Sequence, residues 1–189
     1  MNIFGEIIHD RRSVRDFEER AVPLSVIKEI IADACEAPSA GNRQPWGFVV
    51  IVDRDMMKRL SDESKTRLLE DESVIRSPLL RMYRGILKDE QHNVFYNAPC
   101  LVYITGPKRF HSTSADCSLA ASYFMISAAL RGLGTCWVDL GSYIRDPGLL
   151  EEIGVPDNHR IIAPVIMGYP KNIPERPQRK EPRIFKIIG

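Results

Sequence analysis

The sequence predicts one domain in which helices and a β-sheet share a core. Three observations predict it. The chain has 189 residues, enough for a single domain to bury a sizeable core. Four apolar runs, "GFVVIVD", "CLVYIT", "TCWVDLG" and "RIIAPVIMGY", have the composition of strands. The segments between them carry helical periodicity or polar turn chemistry, and no repeat or low-complexity linker interrupts them. Residues 1–189 therefore read as one domain with a C-terminal arm from about residue 170.

Residues 2–9 predict a short helix with Ile3, Phe4, Ile7 and Ile8 on one face. Pro23 opens the next helix, because proline is tolerated in a first turn. Ile27, Ile30, Ile31 and Ala34 then recur at helical spacing, and Pro38 ends the segment. The run at 47–53 is continuously apolar and predicts a buried strand. Residues 55–90 are charged and weakly periodic, and predict one or two helices broken near Pro78. Residues 100–105 predict a second strand. "SADCSLAASYFMISAALRGLG" is the strongest helix, and its small and apolar residues cover nearly all faces. Such a helix is buried, in a core or in a subunit interface. Gly132 and Gly134 end it before the strand "TCWVDLG". "DPGLLEEIG" predicts a short helix with Pro147 in its first turn. The last strand contains Pro164, which predicts an edge position or a bulge.

Beyond Tyr169 the chain reads "PKNIPERPQRKEPRIFKIIG". Its prolines forbid a continuous helix or a central strand. The arm ends on Ile184, Phe185, Ile187 and Ile188, an apolar end that predicts docking on its own core or on another subunit.

Composition excludes several function classes. The formal net charge is +1, so no global field recruits nucleic acid or an anionic membrane. No apolar run approaches the roughly 20 residues of a membrane span. The N-terminus carries acidic residues and no apolar h-region, so the reading is a cytoplasmic protein without a signal peptide. Cys35, Cys100, Cys117 and Cys136 form no CxxC pair, and His9, His92, His111 and His159 form no ligand spacing, so no metal site is expected.

Four motifs carry chemistry. In "RRSVRDF", Arg11, Ser13 and Arg15 alternate, and an extended segment points them one way. Two guanidinium forks and a hydroxyl suit a phosphate; a solvated basic turn is the plainer alternative. In "APSAGNRQPWGFVV", small residues let backbone approach a flat ligand, and Asn42 and Gln44 offer donors and acceptors to a heteroaromatic edge. A plain loop with Trp46 as a core plug is the alternative. "LRGLGTCWVDLG" brings glycines to a strand, though a helix C-cap explains Gly132 or Gly134 as well. "RPQRKEPR" makes a local basic patch of Arg176, Arg179, Lys180 and Arg183, either a solvated arm or a nucleic-acid arm; aromatic interleaving is missing, so nucleic acid is not expected.

The order of these blocks, together with "NAPCLVYI" and "VIMGYPKNIPERPQRK", resembles the nitroreductase family of FMN-dependent oxidoreductases over nearly the whole chain. The resemblance implies an α+β fold: a mixed, mostly antiparallel sheet flanked by helices, as an intertwined homodimer. Each FMN site would be built from both subunits. The segment matching Arg11, Arg12, Ser13 and Arg15 would hold the FMN phosphate and ribityl chain, with Arg179 and Lys180 from the arm; Gln178 stands where the family carries a further basic residue. Pro38, Ser39, Ala40 and Asn42 would come from the other subunit and lie along the isoalloxazine. Leu133 and Gly134, with Thr135, match a loop whose backbone faces the ring. His92 and Asn93 lie in the region that supplies a polar contact in other members.

The implied chemistry is hydride transfer from NAD(P)H through flavin N5 to a nitroaromatic, quinone or enone, in a ping-pong cycle. No side chain need serve as acid or base, because the flavin carries the reaction. Specialised members that dehalogenate, dehydrogenate or degrade flavin are the alternative, as is a flavin-binding module without turnover.

Overall fold

The computed structural model describes residues 3–71 and 78–189. Helix α1 spans Ile3–Asp10 and α2 spans Leu24–Ala34. A 3-10 turn, Ala40–Asn42, leads into strand β1, Gly47–Ile51. Helix α3 covers Arg54–Glu70 and α4 covers Pro78–Lys88. Strand β2 is Cys100–Pro107, α5 is Thr113–Leu130 and β3 is Gly134–Trp137. A 3-10 turn at Asp139–Ser142, helix α6 at Pro147–Glu152 and strand β4 at His159–Gly168 complete the order. The expected break between α3 and α4 falls at 72–77, outside the described residues.

The sheet order is β1-β2-β4-β3. All three strand pairings are antiparallel. The four strands thus form an antiparallel rather than a mixed sheet, and one isolated parallel bridge outside them, Ser13 to Thr135, lays the basic N-terminal segment beside β3. Both faces of β2 are covered. Val102 and Ile104 pack with Ile27, Ile30, Phe124 and Ala128 of α2 and α5. Leu101 and Tyr103 pack with Leu60, Phe95 and Ile166 on the other side. That double burial explains why β2 is apolar without alternation.

Two further expectations change. The 47–53 run is an edge strand, half-buried except at Ile51, and Val52 is exposed. Pro164 sits on an interior strand, between β2 and β3. It is tolerated there because of where its missing N–H would point. In an antiparallel strand the N–H and C=O of one residue face the same neighbour. The Pro164 carbonyl accepts from Val138 N at 2.8 Å, one residue past the end of β3. The absent donor therefore faces a place where the ladder has already stopped. A bulge in the β2–β4 register lies close by, where Ile104 and Thr105 pair with Ala163 and Ile161.

Helix α5 is the central helix. Asp116, Cys117, Ala120, Ala121, Phe124, Ser127 and Ala128 are buried, while Leu119, Tyr123 and Leu130 are 41%, 41% and 52% exposed. Its end is a Schellman cap. Gly132 adopts φ +72°, Leu133 N donates to Ala128 O at 2.9 Å and Gly132 N to Ala129 O at 3.0 Å. Among the described residues no helix is long and apolar enough to cross a membrane.

Candidate cofactor site

The N-terminal segment is held against β3 by backbone. Val14 N donates to Thr135 O at 3.0 Å. Val14 is buried, and its side chain occupies the space above Gly134: a Cβ there would stand 2.7 Å from Val14. Gly132 alone serves the helix cap; Gly134 is glycine so that the basic segment can close on the strand.

That contact leaves Arg11, Ser13 and Arg15 beside β3. The Cys136 thiol reports the company: burial pushes its pKa up, while the nearby Arg15, a hydrogen bond from Ser13 and the Arg11 charge pull it back. Arg15 also lies over the Tyr96 ring, 5.6 Å from its centroid, within cation–π range. Arg12 points elsewhere. It closes the end of α1, donating to His9 O at 2.6 Å and Arg11 O at 2.7 Å. Two buried polar atoms here have no partner among the described residues, Thr135 Oγ1 and Arg12 Nε. Buried polar groups are normally paired, and a polar ligand on the Ser13–Thr135 surface would complete the hydroxyl. A cleft lined by Arg11, Arg12, Val14, Leu133, Gly134 and Ile173 opens beside it. The residues present therefore fit an anionic, polar-chained ligand.

The second half lies at the other end of α5. Ala40 N donates to Asp116 Oδ1 at 3.0 Å. Ser39 Oγ accepts from Gln44 N at 2.9 Å, and Gln44 Nε2 reaches Asn42 Oδ1 at 3.1 Å. Gly41, Asn42 and Gln44 have φ of 60°, 53° and 47°, a left-handed run that costs energy at the two non-glycine positions. Ser39 is half-buried and Pro38, Ala40 and Asn42 are exposed.

One chain does not bring the halves together. Asp116 stands in the first turn of α5, and Ala129 borders the basic segment at its far end. At 1.5 Å per residue these points lie roughly 20 Å apart. The arm residues Arg179 and Lys180 are exposed. The arm's root reaches the basic segment: Lys171 N donates to Asp16 O at 3.0 Å and Phe17 bridges Pro170. Asn93 is buried and accepts from Phe95 N, so it shapes a turn; His92 is half-buried above Tyr96.

Sequence reasoning missed Val14, Tyr96 and Asp116 as site-shaping residues. An acidic residue in the first turn of an otherwise apolar helix was a usable signal for Asp116; nothing local marked Tyr96. Cys117 is buried, with its pKa pushed up to about 11 by burial and the adjacent Asp116 charge. Among the described residues no cluster fits a metal ion.

The family model named Nitroreductase family matches residues 8–169. The chain belongs to the nitroreductase family. A relative in Archaeoglobus fulgidus, provisionally named a NADH dehydrogenase/NAD(P)H nitroreductase, is 31% identical over 175 residues, 88% of this chain and 85% of the relative. Mouse iodotyrosine deiodinase 1 is 26% identical over 201 residues, covering 98% of this chain and 68% of the relative. Among solved structures, the Bacteroides fragilis nitroreductase with bound FMN superimposes with a TM-score of 0.86 at 24% identity, covering 99% of this chain and 100% of that one. An iodotyrosine deiodinase bound to FMN and 3-iodo-L-tyrosine has a TM-score of 0.75 at 21% identity, over 98% and 100% of the two chains. These nitroreductase-fold neighbours hold FMN, and the α+β architecture is the one they share.

Proposed function

We propose that the protein is an FMN-dependent oxidoreductase whose cofactor site is completed by a second copy of the chain, and that it carries hydride from NAD(P)H to an electron-poor acceptor. One observation carries the reading: Arg11, Ser13 and Arg15 are gathered on the Gly134–Thr135 backbone, beside a buried hydroxyl without a partner among the described residues. Arg11 and Arg15 supply charge-assisted donors to a phosphate dianion. Ser13 and Thr135 offer hydroxyls to the ribityl chain. FMN, when bound, would supply the redox chemistry, hydride acceptance and donation at N5. The chain's own part is to bind and orient, with no acid or base side chain required.

The separation of the two halves supports the dimer. Ser39, Ala40 and Asn42 cannot face a ring whose phosphate sits on Arg11 of the same chain at the far end of α5. They can face the ring of the partner's cofactor. The exposed Leu119, Tyr123 and Leu130 supply an apolar face for that association.

The test is the visible spectrum of the purified protein, followed by NADH or NADPH without oxygen. Flavin bands that bleach support the reading. Bands that persist with either donor point to a binding module. Arg11→Ala with Arg15→Ala should purify with most of its flavin lost; full occupancy would sink the phosphate assignment. The deiodinase relatives support a second reading, reductive removal of halide from a halogenated phenol. Turnover of 3-iodo-L-tyrosine but not of nitroaromatics or quinones would favour it.

A further inference from the structure

We propose that Arg43 and Arg109, both stacked on Phe110, form a subsite for the phosphates of the reduced dinucleotide. The proposal rests on the function proposed above and names where its donor is held. Arg43 lies over the Phe110 ring at 4.9 Å from the centroid and Arg109 at 4.5 Å. Both arginines are exposed. Neither side chain has a hydrogen bond or ion pair among the described residues. Two cations brought to one ring repel each other, and no ion pair among the described residues offsets this. Stacking engages the face of a guanidinium and leaves its in-plane N–H donors free. The result is a pair of pre-oriented forks without an anion.

Their backbone is anchored. Arg43 N donates to Ala40 O at 3.3 Å and closes the 3-10 turn, while Phe110 O accepts from Thr113 N at 3.3 Å as α5 begins. The neighbouring Lys108 is already committed, its Nζ donating to Asp157 O at 2.9 Å.

Position assigns the ligand. Arg43 follows Asn42 directly, in the loop proposed to lie along the isoalloxazine. A nicotinamide stacked on that ring would leave its pyrophosphate available to cations on the same loop. The FMN phosphate has its own cations, Arg11 and Arg15, at the opposite end of α5. NADH and NADPH share the pyrophosphate, and NADPH adds a 2′-phosphate.

The experiment follows anaerobic flavin reduction by NADH, by NADPH and by a phosphate-free N-alkyl dihydronicotinamide. The Arg43→Ala/Arg109→Ala double variant is compared with the unaltered protein, both loaded with FMN. Losing charge-assisted bonds to phosphate should weaken dinucleotide binding by about tenfold or more. The ratio of dinucleotide to neutral-donor efficiency should fall by the same factor, and Arg43→Lys/Arg109→Lys should restore part of it. A fall for NADPH alone assigns the pair to the 2′-phosphate; an equal fall for both assigns it to the pyrophosphate. If all three donors decline in parallel, or dinucleotide binding changes less than about twofold, well inside one such bond, the subsite is wrong. It is equally wrong if the unaltered protein is reduced by the neutral donor and by neither dinucleotide. Absence of bound flavin, or no reduction by any donor, overturns the parent reading instead.

Discussion

At Gly134 a single hydrogen atom decides whether the basic segment can reach the sheet. Gly134→Ala drives a Cβ to 2.7 Å from Val14, and overpacking of that kind costs about 1–3 kcal/mol. The expected outcome is a lower unfolding midpoint together with weaker flavin retention. Val14→Ala in the same chain should recover part of both, because it empties the space the new methyl needs. Thermal unfolding and the flavin-to-protein absorbance ratio check it. The pair of glycines in "RGLG" looked alike in the sequence, yet only Gly132 has the positive φ of a cap. Nothing local could separate them, because the partner that makes Gly134 necessary lies 120 positions upstream.

Among the elements, α3 does more than its polar sequence suggests. Lys65 is buried, and its ammonium donates to Asp89 O at 3.0 Å and His92 O at 2.9 Å while pairing with Asp62 at 3.2 Å. It fastens the turn that leads to Tyr96, and so the aromatic surface under Arg15. Lys65→Met should destabilise by about 2 kcal/mol or more, since hydrogen bonds to a charged group are among the stronger ones; denaturant unfolding measures it. The same lysine, after burial, helps hold the His92 pKa below its ordinary 6.5. A depressed histidine binds fewer protons folded than unfolded. Its contribution is therefore intact above about pH 6.5 and is lost as pH falls through the window beneath. His92→Gln should flatten the stability loss between neutral and mildly acid pH, and Lys65→Met should raise the His92 pKa in an NMR titration. Elements with strong periodicity, α2, β2 and α5, were legible in the sequence because burial imposed a pattern on them. Region 54–97 was legible only as one or two helices broken near Pro78: α3 buries Met57, Leu60 and Leu68 but also Lys65, Ser61 and Ser64 through hydrogen bonds, and such bonds leave no hydrophobic pattern. Of the two readings for Pro164, the edge position fails while a bulge lies close by, and its tolerance depends on where another strand ends.

For the whole molecule, the fold places the two surfaces proposed to meet the cofactor at opposite ends of one helix. If a second copy joins them, flavin binding and association are one equilibrium. Leu119→Glu with Tyr123→Glu would put charge on the exposed face of α5 and should yield monomers that no longer retain flavin. Sedimentation and the visible spectrum test both parts; monomers with full flavin would refute the shared site. The resemblance in the sequence implied this arrangement, and the geometry of a single chain supplies a reason for it.

The bridge from Phe17 to Pro170 and the Lys171 bond to Asp16 join the arm to the basic segment a few residues from Arg15. Mechanically the two are one lever with its fulcrum at the sheet edge. Whatever steadies the short end, a bound phosphate included, also steadies the root of the long end. Trypsin should therefore cut the arm at Arg179, Lys180 or Arg183 more slowly once cofactor is loaded, so that a protease would read on the outside of the molecule whether the proposed site is filled.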